Sequence, residues 1–156
     1  MNLISPILLP ENVIVDTEST SKKRVLERTG LLFEHTCQVL PPPVSRSQVF
    51  DSLFAREKLG STGLGHGVAI PHGRTKGLRD AMAAFIKTQT PIPFDAPDGQ
   101  PVNLIFILLV PERATDMHLQ LLGELAQMFS ERNFREQLQA SNDPAVLHQL
   151  FVNWQR

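Results

Sequence analysis

Nine consecutive positions, "VNLIFILLV" from Val102 to Val110, carry an aliphatic or aromatic side chain everywhere except at Asn103. A strand with one wet face alternates apolar and polar residues, whereas a strand that is apolar at nearly every position has both faces covered by other layers. The run is far short of the ~20 residues a helix needs to cross a bilayer. It is therefore expected as the central strand of a sheet, and the rest of the chain has to provide the layers that cover it.

Helical patterns lie on both sides of it in sequence. From Lys22 onward Val25, Leu26, Leu32, Phe33 and Cys37 recur at helical spacing, with Ser21 as N-cap and Gly30 as a weak point. Pro41 to Pro43 form a connector. Beyond it, "SRSQVFDSLFAREKLG" sets Ser45 and Gln48 at capping-box spacing, carries Val49, Phe50, Leu53 and Phe54 on one face, and stops at Gly60. In the middle of the chain "HGVAI" and "AMAAFIKT" are short runs bounded by Pro, Gly, Asp and Asn, the signature of strands, and Val13 to Val15 is a candidate for one more. Helical spacing returns from Thr115 with Leu121, Leu122, Leu125 and Phe129, then Phe134 and Leu138. A last helix opens with Asp143 as N-cap and Pro144 at its first position and buries Val146, Leu147, Leu150, Phe151 and Trp154. The expected fold class is α/β: a single domain over residues 1–156 with a mixed central β-sheet flanked by α-helices.

Composition narrows the function classes. With 15 Lys+Arg against 16 Asp+Glu the formal charge is -1, which argues against nucleic acid as the main partner. Cys37 is the only cysteine, so neither an internal disulfide nor a thiolate zinc cluster is available. The opening "MNLISPILLP" lacks a basic segment and is broken by Pro6 and Pro10. The chain thus reads as a soluble, cytoplasmic protein without membrane insertion.

The stretch "GHGVAIPHG", Gly65 to Gly73, concentrates the chemistry. Pro71 fixes the backbone before His72 and pushes Ile70 to an extended conformation, and Gly73 leaves room for a ligand or partner. An imidazole at a strand end on a stiff backbone, with one nitrogen donating to a carbonyl, presents the other as a nucleophile near neutral pH without a metal. His118 lies in the first turn of a helix on the stripe of Leu121, Leu122 and Leu125, so it points towards the sheet. That spacing suits a histidine at the core edge and an anion ligand at a helix N-terminus equally well. His35 and His148 read as packed or solvated.

Ahead of His72, "REKLGSTGLG" supplies Arg56, the hydroxyls of Ser61 and Thr62, and three glycines. Arginine bridges phosphoryl oxygens and the loop offers further donors, the parts of a phosphate cradle. The same letters also describe an arginine at a helix C-terminus followed by an ordinary turn. No nucleotide-binding fingerprint is present, and "GSTG" is not a serine-hydrolase elbow. His66 and His72 lack the carboxylate cluster that a zinc site would add. Asp95 and Asp98 in "FDAPDGQP" look like turn residues, and the Lys22, Lys23, Arg24 cluster like a solvated helix start.

Three separated segments, "REKLGSTGLGHGVAIPHG", "PIPFDAPDGQPVNLIFILLVP" and "MHLQLLGELAQMF", together resemble the enzyme IIA domain of the bacterial phosphotransferase system, in the branch shared by nitrogen-regulatory and fructose/mannitol proteins. The resemblance runs in order from about Arg56 to Phe129 and is fainter on either side. It implies a phosphoryl-accepting histidine at His72, a second active-site histidine at His118, and an arginine at Arg56 that stabilises the group in transit. With it, Ser61, Thr62 and Gly73 are expected to contact the phosphoryl group. It further implies phosphate received from a phosphohistidine on an HPr-like carrier, itself charged from phosphoenolpyruvate through enzyme I, with no metal or other cofactor. Arg74 stands where the family often has lysine.

The details "GSTGLG" and "PHG" look closer to the nitrogen-regulatory type. A freestanding regulator is therefore expected, acting on targets such as potassium-transport or sensor-kinase components. The alternatives are a fructose/mannitol-type component passing phosphate to a IIB partner and a non-catalytic binding module.

Overall fold

The computed structural model describes residues 2–39, 44–113 and 115–155; the Pro41 to Pro43 connector lies outside them. Six strands and five helices follow in the order β1 (Leu8–Asp16), α1 (Lys22–Val39), α2 (Arg46–Leu59), β2 (Gly63–Gly65), β3 (Val68–Ala69), β4 (His72–Thr75), β5 (Met82–Ile92), β6 (Val102–Pro111), α3 (Thr115–Ser130), α4 (Arg132–Ala140) and α5 (Pro144–Asn153). They build one mixed sheet in the order β1-β5-β6-β3-β2, with β4 also paired to β6. The long apolar run is β6, antiparallel to β5 on one side and parallel to β3 and β4 on the other.

Alternate residues of the central strands face different layers, as the two-residue period of a strand demands. Leu104, Phe106, Leu108 and Val110 join Phe85, Val68 and the apolar residues of α3, α4 and α5 in one core. Ile105, Ile107 and Leu109 join Ile86, Ala69 and the apolar residues of α1 and α2 in the other. Helix starts behave as their caps require: Ser21 Oγ accepts from Arg24 N at 3.2 Å, Ser45 Oγ from Gln48 N at 3.1 Å and Asp143 Oδ1 from Ala145 N at 3.0 Å. Gln48 does not close the capping box; its amide reaches Lys76 O at 2.6 Å and ties α2 to the loop after β4. Val146, expected among the buried residues of α5, is 45% exposed.

Gly30 is a close crossing point: a Cβ there would lie 2.7 Å from Arg46 O, so its missing side chain lets α1 pack against the start of α2. On the other layer Lys87 of β5 donates to the carbonyls of Leu138, Gln139 and Ser141 at 3.0, 2.9 and 2.7 Å. That ammonium satisfies the open carbonyl end of α4 and favours its dipole.

Three strands differ from expectation. "HGVAI" is not one strand: His66 and Gly67, with φ of 56° and 80°, form a two-residue turn between β2 and β3, the positive-φ geometry that suits the twist of a hairpin. The segment expected to be a phosphate-binding loop contributes β2 to the sheet edge. The chain then resumes pairing beyond Pro71 as β4. Val68 faces Leu104 and, four residues on along both strands, His72 faces Leu108, so the register passes the interruption unchanged. Pro71 has no N–H to give, yet its carbonyl accepts from Leu108 N at 3.0 Å.

Candidate functional site

His72 opens β4 on the α3 side of the sheet, in line with Val68 and Ile70. Its Nδ1 lies 2.7 Å from Ile70 O. A carbonyl only accepts, so Nδ1 carries the proton and Nε2 keeps the lone pair. Burial pushes the imidazole below its ordinary pKa of about 6.5; the Ile70 hydrogen bond opposes this, and the nearby Arg56 guanidinium adds to it. At neutral pH the ring is uncharged and nucleophilic.

His118 sits in the first turn of α3, its ring centroid 5.3 Å from that of His72 and the two planes at 64°. It is only 9% exposed, and its buried Nδ1 has no hydrogen-bond partner among the described residues. Burial again lowers the pKa, followed by the charges of His72, Arg74 and Arg56. Two neutral imidazoles at the start of one strand and the start of one helix therefore share a corner of the molecule with two guanidinium groups.

Arg56 belongs to the opposite layer. It stands in the last turn of α2, where its Nη1 donates to Gly60 O at 2.9 Å and holds the helix end. It thus holds a helix C-terminus and, from there, acts electrostatically on both histidines. Arg74 is the site residue that sequence reasoning passed over as a departure from the usual lysine. Two positions beyond His72 on β4, it shares the histidine's sheet face, and a strand this short leaves no periodicity in the sequence by which to find it.

The loop residues have other partners. Ser61 Oγ donates to Phe94 O and accepts from Gly63 N at 3.0 Å. Thr62 gives both its N–H and its hydroxyl to the Glu57 carboxylate, with N–O distances of 3.0 and 3.1 Å. Both hydroxyls therefore fasten the α2–β2 corner, a role that their spacing alone did not suggest. Glu57, buried in the same "REK" segment, is what Thr62 serves.

Gly73 is likewise explained by packing: a Cβ there would lie 3.0 Å from Ser52 O of α2, on the face away from His118. His66 stays apart from the pair, in the hairpin turn, its backbone N–H held by Asp98 Oδ2 at 2.9 Å. His148 bonds Leu8 O through Nε2 at 2.9 Å, a structural contact between α5 and β1, and His35 is exposed.

Residues 6–154 match the family described as phosphoenolpyruvate-dependent sugar phosphotransferase system, EIIA 2. A nitrogen regulatory protein of Pseudomonas aeruginosa is 41% identical over 152 residues, covering 97% of this chain and 96% of its own. The crystal structure of the nitrogen regulatory protein IIA-Ntr of Neisseria meningitidis superimposes with a TM-score of 0.87 at 50% identity, covering 96% of this chain and 99% of that one. An Escherichia coli mannitol enzyme IIA, solved in complex with phosphorylated mannitol enzyme IIB, shares the fold with a TM-score of 0.75 at 18% identity, over 92% of this chain and 96% of that one. With a family match that runs almost from end to end, this chain belongs to the EIIA 2 family of the phosphoenolpyruvate-dependent sugar phosphotransferase system.

Proposed function

We propose that this protein is a cytoplasmic phosphoryl carrier and regulator of the nitrogen type, charged on His72 Nε2 by an HPr-like phosphocarrier. The observation that carries the reading is the 2.7 Å contact of His72 Nδ1 with Ile70 O, which leaves Nε2 unprotonated in a corner shared with His118 and Arg56. In the transfer, the Nε2 lone pair forms the new N–P bond while the donor's N–P bond breaks and its electron pair returns to the donor imidazole. No proton has to leave His72. Positive charge that grows on its ring is stabilised by the Ile70 carbonyl dipole at Nδ1–H.

Phosphoryl transfer needs in-line placement and compensation of charge spread over the equatorial oxygens. Arg56 supplies that compensation from α2, and His118, its ring centroid 5.3 Å from that of His72, supplies a hydrogen bond from α3. The phosphoramidate retains its transfer potential, so the product is a state that partners read. A dianionic group added at this corner changes which surfaces dock there.

The regulatory reading is preferred to sugar transport because the nitrogen regulatory relatives are 41% and 50% identical, against 18% for the mannitol protein. Targets of the kind expected, potassium-transport or sensor-kinase components, belong to this reading. The test is intact-mass spectrometry after incubation with phosphoenolpyruvate, enzyme I and the HPr-like carrier, followed by mapping of the acid-labile group. One phosphoryl group on His72 is expected; its presence on another residue, or no uptake, overturns the proposal. A second assay offers the phosphorylated protein to fructose- or mannitol-type IIB, and efficient transfer would replace the regulator by the sugar component.

A further inference from the structure

β1 leaves the sheet over part of its length. Leu8 faces Ala83 of β5, but the next registered pair is Val13 with Phe85, so the intervening stretch of β1 bulges away from its neighbour. Bulges of this kind recur beside functional sites because they redirect side chains and end pairing locally. Here the bulge stands over a cavity of about 390 Å³ bounded by the end of α1 and the segment that connects β4 to β5.

Three features make the cavity more than a packing gap. Its wall is mostly apolar, with Leu78, Cys37 and Met82 on one side and the two sulfur atoms 3.7 Å apart. Into it the bulge brings Asn12, which is only 2% exposed. Asn12 Oδ1 accepts from Thr36 Oγ1 at 3.2 Å, while its amide nitrogen makes no hydrogen bond among the described residues. Asn12 lines the cavity, so this amide is placed to donate to an acceptor carried into it. At the rim, Arg79 and Asp80 are adjacent, exposed and engaged in no ion pair among the described residues.

We infer that this cavity is a binding site for a free α-amino acid. The rim pair offers a cation for the α-carboxylate and an anion for the α-ammonium, the apolar wall takes the side chain, and the Asn12 amide donates to an acceptor carried inside. The site is separate from the phosphoryl-transfer residues and does not depend on them. It is nevertheless connected to them, since the segment that holds Arg79 and Asp80 begins just after Thr75, the last residue of the strand that bears His72.

The test is an amide-proton NMR titration of the full chain with leucine, methionine and glutamine, each added separately. Saturable shifts confined to residues around Asn12, Leu78–Met82 and the end of α1 are expected for at least one of them, strongest for glutamine if the Asn12 donor is used. Arg79→Gln and Asp80→Asn, both on the surface and harmless to the fold, should each weaken binding about tenfold, the loss of one charge-assisted hydrogen bond. Ala81→Leu should abolish it by filling the space. Absence of saturable shifts with all three amino acids overturns the inference, as does affinity unchanged by Asp80→Asn, or equal affinity for a carboxylic acid that lacks the ammonium group.

Discussion

The two faces of the sheet are built differently, and the site depends on the difference. On the α3–α5 face a cluster of aromatic rings forms the core: Phe151 stands 4.8 Å from Phe85, 5.3 Å from Phe106 and Phe134, and 6.0 Å from Phe129. On the same face, His72 of β4 and His118 of α3 bring their rings to 5.3 Å. On the α1–α2 face the elements approach by backbone, through Gly30 against Arg46 and Gly73 against Ser52. This close contact brings the last turn of α2, and with it Arg56, level with the start of β4. One face therefore carries His72, His118 and Arg74, and the other brings Arg56 to them.

Substitutions can separate these contributions. His72→Ala is expected to eliminate phosphoryl uptake altogether while the protein stays folded, measured by intact mass; uptake of one group at the normal rate would remove the nucleophile from the α3–α5 face. Phe151→Ala takes the hub out of the aromatic cluster and should lower unfolding free energy by about 3–5 kcal/mol in denaturant titration. Under conditions where the variant remains folded, its phosphorylation should continue, because Phe151 touches neither histidine.

Arg56→Ala should slow phosphorylation about a hundredfold, the effect of removing one preorganised charge from a transfer site, and His118→Ala about tenfold, the effect of one hydrogen bond. The order would invert if α3, and not α2, carried the main charge compensation. Rapid-quench kinetics with the phosphorylated carrier distinguish the two.

The smallest effect expected is that of mild acid. Both histidines are held below the ordinary imidazole value, so the unfolded chain binds protons more readily than the folded one. By linkage their contribution does not penalise folding above about pH 6.5 and destabilises progressively as pH falls from there to the lower folded values. Phosphorylation should stay level around pH 7 and decline about tenfold per unit only below the folded pKa of His72. A stability profile flat from pH 7 to pH 5 in His72→Ala and His118→Ala combined, against a sloping one in the parent, would assign the slope to this pair.

Much of this arrangement was legible in the letters. The apolar run Val102 to Val110 reads as a doubly covered strand because burial on both faces leaves no polar alternation, and it is the central β6. Ser21, Ser45 and Asp143 announce helix starts because capping is a contact between near neighbours in the chain. β2 and β4 were not legible as strands, since segments of three and four residues carry too little periodicity to tell from a loop. The candidate site divided along the same line. His72 was singled out by its neighbours Pro71 and Gly73. The partners of the Ser61 and Thr62 hydroxyls were not legible, because spacing does not disclose that Phe94 and Glu57 would engage them.

By itself, then, the sequence determined the layers, the caps and the stiff backbone around His72, all of which follow from side chains acting over a few residues. Only the tertiary structure decided which tautomer His72 adopts, that His118 arrives 5.3 Å away from it, and that Arg56 acts on both rings. Those outcomes depend on how three elements far apart in the chain pack across one sheet. Such distances are set by the volume of the core between the elements, and no local pattern of residues encodes them.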